Sequence, residues 1–174
     1  MKVLVSAFKP FNNEINNYSM EVLKYLDNVD KVIIDVIYDD CYKQLSNNNL
    51  DEYDLIIALG EARSRSELTL EIKAYNLSSC SLKDNAGIIK KESVINESLD
   101  KEINTKVNYN LVSNMVKLSD NPGRFVCNNL YFHMLSNYPD KSLFIHVPNC
   151  EDDANKYKEY ASLITEIIKA LTIC

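Results

Sequence analysis

The chain has 174 residues and carries 19 lysines and arginines against 25 aspartates and glutamates, a net charge of -6. That length suits one domain over 1–174 with its own core and is short for two, while an acidic balance without a basic run lacks the attraction for phosphate backbones that nucleic-acid binding needs. The opening MKVLVSAFKP is too short for a signal-peptide core, no 18 apolar residues run together, and the five cysteines show no CxxC spacing. The sequence therefore reads as a soluble cytoplasmic protein with free thiols, no membrane partner, no disulfide framework and no metal site. Cys174 is the last residue, not fourth from the end as a prenylation signal requires.

Taken in chain order, β-rich apolar runs alternate with helical spacing. VLVSAF (3–8) reads as a strand, and Met20, Leu23 and Leu26 as a helix face. KVIIDVIY (31–38) is a second strand, followed in DDCYKQLSNNNLDEYD by a short helix ended at Asn47-Asn48-Asn49. YDLIIALG (53–60) and LTLEIKAYNL (68–77) are further strands. Residues 78–110 form a long polar excursion with a hairpin near Asn85-Ala86-Gly87. NMVKLS (114–119) is a strand, Val126, Leu130 and Met134 mark a helix, KSLFIHV (141–147) is a strand, and Tyr157, Ala161, Ile164, Ile168 and Leu171 mark the last helix. Runs such as LIIAL and LFIHV are apolar at consecutive positions, as strands covered on both faces are, so the pattern predicts an α/β domain with a largely parallel sheet.

The rare residues cluster. The chain has only three glycines, Gly60, Gly87 and Gly123, and only three arginines, Arg63, Arg65 and Arg124. Two of the glycines and all the arginines fall in ALGEARSRSELTLE (58–71) and SDNPGRFVCN (119–128), each directly after a predicted strand, where open α/β sheets place their ligand crevice. Within the second stretch, Cys127 falls in the first turns of a helix, a setting that favours an ionised, nucleophilic thiolate. It also falls on a stripe with Leu130, Tyr131 and Met134, where a cysteine serves as a small buried hydrophobe. His146, near the carboxyl end of LFIHVP, reads either as a base or as a core histidine. A βαβ unit running from the strand before Gly123 through the helix of Cys127 to the strand of His146 would bring the two to one sheet edge. His133 is the weaker competing base, and a thiol redox function would need Cys150 as its resolving partner.

Four stretches in order resemble the pyroglutamyl peptidase I family of cysteine peptidases. AFKPFNNEINNYS resembles G-F-x-P-F-G-G-x-x-x-N-P-S, GEARSRSELTLE resembles G-Q-A-G-G-R-x-x-I-T-x-E, SDNPGRFVCNNL resembles S-N-T-A-G-T-F-V-C-N-H-L, and FIHVP is identical to the family's segment around its histidine. The resemblance implies a three-layer α/β/α sandwich around a mixed, mostly parallel sheet, and removal of N-terminal pyroglutamate through a thiol acyl-enzyme. It implies Cys127 as nucleophile, His146 as general base and Glu71 as the supporting acid. Phe8 and Phe11 match aromatics that hold the pyroglutamyl ring, Asn17 a polar pocket residue, Glu61 stands for a pocket glutamine, and Arg65 matches the family arginine. Oxyanion donors would be backbone N–H groups near Cys127, joined by Arg65. The implied partner is a peptide with a blocked N-terminus, no metal or organic cofactor is required, and homo-oligomers occur in such families. A non-catalytic binding homologue is the alternative. The departures are specific: two Gly-Gly pairs become Asn12-Asn13 and Arg63-Ser64, Tyr18 replaces a proline, Pro122-Gly123-Arg124 replaces Ala-Gly-Thr, and a Ser-Thr-Leu-Pro segment with its following helix is missing between 95 and 115. Arg63 and Arg124 would add positive charge at the pocket rim, suited to an acidic group beyond the first substrate residue.

Overall fold

A computed structural model describes residues 1–172; Cys174 lies outside the described residues. The strands are β1 (Val3–Phe8), β2 (Asp30–Ile34), β3 (Leu55–Glu61), β4 (Thr69–Glu71), β5 (Lys73–Tyr75), β6 (Glu102–Asn104), β7 (Lys117–Ser119) and β8 (Ser142–Val147), and the helices α1 (Tyr18–Lys24), α2 (Asp40–Ser46), α3 (Val126–Asn137) and α4 (Ala154–Thr172). The continuous apolar runs form the sheet centre: β1 and β8 are buried at every position and β3 at all but its last. Alternate residues feed two cores. Val5, Ile57 and Ile145 pack with Val22 of α1 and Ile164 of α4, while Leu4, Ile56 and Phe144 pack with Leu45 of α2 and Leu130 of α3. The result is the expected α/β/α sandwich. No helix among the described residues is long and apolar enough to cross a membrane.

The main sheet has the order β2-β1-β3-β8-β4-β7. Its first four strands are parallel, β4 runs antiparallel to β8, and β7 follows the direction of β4. This overturns the expected βαβ unit: β7 is separated from β8 by β4 and runs against it. Residues 120–125 link β7 to α3, and β7 and β8 are not parallel neighbours, so no right-handed crossover forms. The predicted strand 68–77 is broken at Ile72, whose N–H donates to the Ser119 carbonyl at 2.8 Å while its carbonyl accepts from Thr105 N–H at 2.9 Å. There the chain leaves the main sheet, and β5 joins β6 in a small antiparallel sheet. The predicted strand 31–38 stops at Ile34 and the chain turns, with Asp39 at φ 62°. In place of a helix before the cysteine segment there is a short 3-10 turn, Tyr109–Val112.

The excursion holds the hairpin expected near Gly87, which has φ +81°, with Cys80 N–H donating to the Lys90 carbonyl at 2.9 Å. Its neighbours β5 and β6 pack over α3, which explains why α3 is buried nearly all round. Asn128 fastens that cover. Its Oδ1 accepts from Tyr75 N–H at 2.8 Å and its Nδ2 donates to the carbonyls of Tyr75 and Leu77, each at 2.9 Å. Because Asn128 is fully buried, truncation strands these backbone groups, each at a cost of about 1–3 kcal/mol. Asn128→Ala should lower stability by about 3 kcal/mol or more, seen in urea titration as a reduced midpoint at unchanged slope; a shift below about 1 kcal/mol would contradict this account.

Candidate functional site

Gly60 and His146 are register neighbours on the parallel strands β3 and β8, so their Cβ directions point to the same face. That face receives the start of α3. A Cβ at Gly60 would stand 2.8 Å from the Cys127 Sγ and 2.6 Å from the Phe144 ring, closer than any side chain tolerates. The missing side chain lets the sulfur settle over the bare backbone of Gly60, the strand neighbour of His146. Cys127 is the second residue of α3, and the N-cap Phe125 makes no side-chain hydrogen bond to the first turn, which leaves N–H groups beside the sulfur uncapped.

Glu71 on β4 lies opposite Phe144, two register positions along from His146 and therefore on the same face. Its Oε1 meets His146 Nδ1 at 2.8 Å and Arg65 Nη2 at 2.6 Å. Arg65 Nη2 also donates to the Asn121 carbonyl at 2.9 Å, and Tyr131 Oη donates to the Glu71 carbonyl at 2.8 Å. Phe144 packs on His146 with ring centroids 4.8 Å apart. With Nδ1 held by the carboxylate, Nε2 is the ring nitrogen free to exchange a proton.

The electrostatics correct one expectation. Burial first, then repulsion from Glu71 and Glu61, pushes the Cys127 thiol up to about 12, against a smaller opposing pull from Arg65. Burial also lowers the His146 pKa, although Glu71 works the other way. The resting pair is thus a neutral thiol beside a neutral imidazole, not the thiolate that a helix start alone suggests. A helix terminus contributes on the order of 1 kcal/mol, too little against burial and two carboxylates.

Phe8, Phe11, Asn17, Val36, Glu61, Phe125 and Cys127 line a narrow cavity of about 30 Å³. Phe11 leans on Phe125 with centroids 5.8 Å apart. Asn17 is occupied as the N-cap of α1: its Oδ1 accepts from Ser19 N–H at 3.0 Å and its Nδ2 donates to the Lys9 carbonyl at 3.2 Å. Glu61 Oε2 accepts from Tyr18 N–H at 2.7 Å and Oε1 from Arg63 Nε at 2.6 Å. Asn12 and Asn13, at φ 54° and 60°, hold the left-handed backbone that a Gly-Gly pair would adopt, which asparagine tolerates better than other side chains.

The structure brings all eight sequence-derived candidates into this region: Glu71, His146 and Arg65 in one hydrogen-bonded group, Cys127 over Gly60, the register neighbour of His146, and Phe8, Phe11, Asn17 and Glu61 with Cys127 along the cavity. His133 is elsewhere, with Nε2 3.3 Å from Asp39 Oδ1 and its ring stacked on Tyr42 at 5.2 Å. Cys150 is buried in the α1/α4 core, across the sheet from Cys127, so it cannot resolve a Cys127 disulfide without unfolding. Tyr131, Phe125 and Phe144 also belong to the site. Tyr131 carried no sequence signal beyond apolar helix spacing, whereas Phe125 and Phe144 lie inside the two family-like stretches around Cys127 and His146 without having been singled out. Arg63 and Arg124 do not form an open cationic rim: Arg63 is paired with Glu61, and Arg124 stacks over Tyr75 at 3.5 Å.

A family model described as pyroglutamyl peptidase matches residues 1–174. The chain is similar to the pyrrolidone-carboxylate peptidase of Thermosipho africanus, 28% identical over 193 residues that cover 100% of this chain and 94% of the relative. It is 30% identical to that of Staphylococcus haemolyticus, covering 99% and 91%. Among solved structures, the pyrrolidone carboxyl peptidase of Fervidobacterium islandicum superposes with a TM-score of 0.86 at 23% identity over 98% of both chains. Pyroglutamyl peptidase I of Bacillus amyloliquefaciens gives 0.84 at 22%, over 97% and 96%. Iodoacetamide labelling of the folded protein should show Cys127 reacting with a midpoint well above the ordinary thiol value of 9.0 and approaching about 12; a midpoint at or below 9.0 would mean that the thiolate is stabilised after all.

Proposed function

The chain belongs to the pyroglutamyl peptidase family, and we propose that it is a cysteine peptidase that removes an N-terminal pyroglutamyl group from peptides, with Cys127 as nucleophile, His146 as general base and Glu71 as the group that orients the base. The observation carrying this reading is the 2.8 Å contact of His146 Nδ1 with the buried Glu71, on the face where the Cys127 sulfur lies over Gly60. The pyroglutamyl ring enters between Phe8, Phe11 and Phe125. A cavity of about 30 Å³ has room for a few waters at most, so in this reading the ring enters as Phe11 parts from Phe125. A cytoplasmic location belongs to the same reading and agrees with Cys41, Cys80, Cys127 and Cys150 being free thiols.

The neutral pair sets the order of proton transfers. As Sγ attacks the carbonyl carbon of the first residue, its proton passes to His146 Nε2, and Glu71 stabilises the imidazolium formed. The carbonyl oxygen becomes an oxyanion facing the uncapped N–H groups of the first turn of α3. Arg65 Nη2 is engaged by Glu71 and the Asn121 carbonyl, so in this reading it matches the charge of Glu71, with its other N–H groups left to join the oxyanion donors. The C–N bond breaks, the leaving amine takes the proton from His146, and a thioester remains. Water then gives a proton to His146 while attacking the thioester, and the thiol recovers it as pyroglutamate departs. A binding protein without turnover is the second reading, favoured by the raised thiol pKa.

Hydrolysis of a pyroglutamyl fluorogenic amide decides between them. Cys127→Ala and His146→Ala should each lower kcat/KM by about 10²-fold or more, and Glu71→Gln should leave a measurable remainder. Equal silence of wild type and Cys127→Ala would favour the binding protein. The pH–rate profile adds a second check. The base must be neutral, and His146 titrates below its ordinary 6.5. Activity should therefore persist as pH falls through 6.5 and fail only below it. In Glu71→Gln, which lacks the partner that raises the His146 pKa, the acid limb should move further down. An acid limb above 6.5 would contradict the assignment.

A further inference from the structure

Glu61 has a side chain only 4% exposed, and it lines the cavity beside the Cys127 sulfur. Both carboxylate oxygens are engaged, Oε2 by Tyr18 N–H at 2.7 Å and Oε1 by Arg63 Nε at 2.6 Å. Arg63 is placed by two further contacts: its guanidinium lies 4.8 Å from the centre of the Tyr18 ring and 3.2 Å from Glu14 Oε2. Glu14 is 43% exposed, so water screens its pull, and the enclosed partner of Arg63 is Glu61. An ionised carboxylate is an acceptor only. It can take the ring N–H of a neutral lactam or of a protonated cyclic amine equally well in geometry, so a hydrogen bond does not separate the two. Net charge does.

We propose that Arg63 is the specificity-setting residue of the ring pocket: by matching the charge of Glu61 it makes the pocket select a neutral ring at the substrate's amino end over a protonated cyclic amine of the same size. This rests on the peptidase reading for the identity of the bound group. The same loop repeats the device on the other side of the sulfur, where Arg65 matches Glu71 at 2.6 Å. Two arginines two residues apart thus each match one of the two carboxylates that disfavour a Cys127 thiolate. Without Arg63, a buried carboxylate with no counter-charge at hydrogen-bond distance would wall the cavity and attract a cation.

Binding to the Cys127→Ala protein tests this without requiring turnover. Calorimetry would measure L-pyroglutamamide, a neutral lactam, and L-prolinamide, protonated at neutral pH, in four proteins: Cys127→Ala alone, and with Arg63→Lys, with Arg63→Ala, or with Arg63→Ala plus Glu61→Gln. The affinity ratio of lactam to cation should fall by about tenfold or more in Arg63→Ala. It should be largely kept in Arg63→Lys, and return when Glu61→Gln removes the unmatched charge. That return is the readout a merely structural arginine would not give. A ratio unmoved by Arg63→Ala, a loss not repaired by Glu61→Gln, or no binding of either probe to Cys127→Ala would overturn the proposal. Silence of the wild type towards pyroglutamyl amides with the ratio behaving as expected would instead sink the hydrolytic reading alone.

Discussion

Glu71 is a carboxylate with no exposure to solvent, and an ion so placed costs several kcal/mol unless it is matched. Arg65 supplies the counter-charge and His146 a hydrogen bond, both at Oε1, while Oε2 is buried without a partner among the described residues. The loop after β3 brings Arg65, β8 brings His146, α3 brings Tyr131 to its carbonyl, and β4 itself carries it. β4 is short and antiparallel to β8, and that reversal sets Glu71 two register positions from His146, on the face that α3 covers. The arrangement is self-reinforcing, since removing Arg65 or His146 would leave a buried charge with one partner fewer.

The same enclosure restrains the thiol. Cys127 lies with Phe8 and Phe125 along the cavity and over the bare backbone of Gly60, and burial together with two nearby carboxylates raises its pKa. A sulfur that ionises only when a substrate carbonyl is in place reacts slowly with stray electrophiles. The two carboxylates recruit two of the chain's three arginines, which gives the clustering of that residue type a physical cause. The third, Arg124, stacks on Tyr75 and belongs to the cover over α3.

Some departures from the family pattern lose their force in three dimensions. Asn12 and Asn13 take the left-handed backbone that glycines would take. Arg63, in place of a glycine, balances Glu61, in place of a glutamine. The two changes form one compensated pair, which no position-by-position comparison with the motif can show because the partners differ together and interact through side chains.

The sequence by itself determined the layers. Consecutive apolar residues in LIIAL and LFIHV require cover on both faces, the spacing of Tyr157, Ala161, Ile164 and Ile168 requires a helix with one buried stripe, and the neighbours of Cys127 and His146 carry the family. These are local properties, written in periodicities of two and 3.6 residues. Tertiary structure alone decided that β4 separates β7 from β8, that LTLEIKAYNL divides at Ile72 between two sheets, and that the Cys127 thiol rests neutral. Strand order and direction depend on which backbone edges are left to pair after the loops close, and a pKa depends on the summed field and solvent exclusion of residues distant in sequence. Neither quantity has a local signature, so the same residues that named the site could not give its charge state.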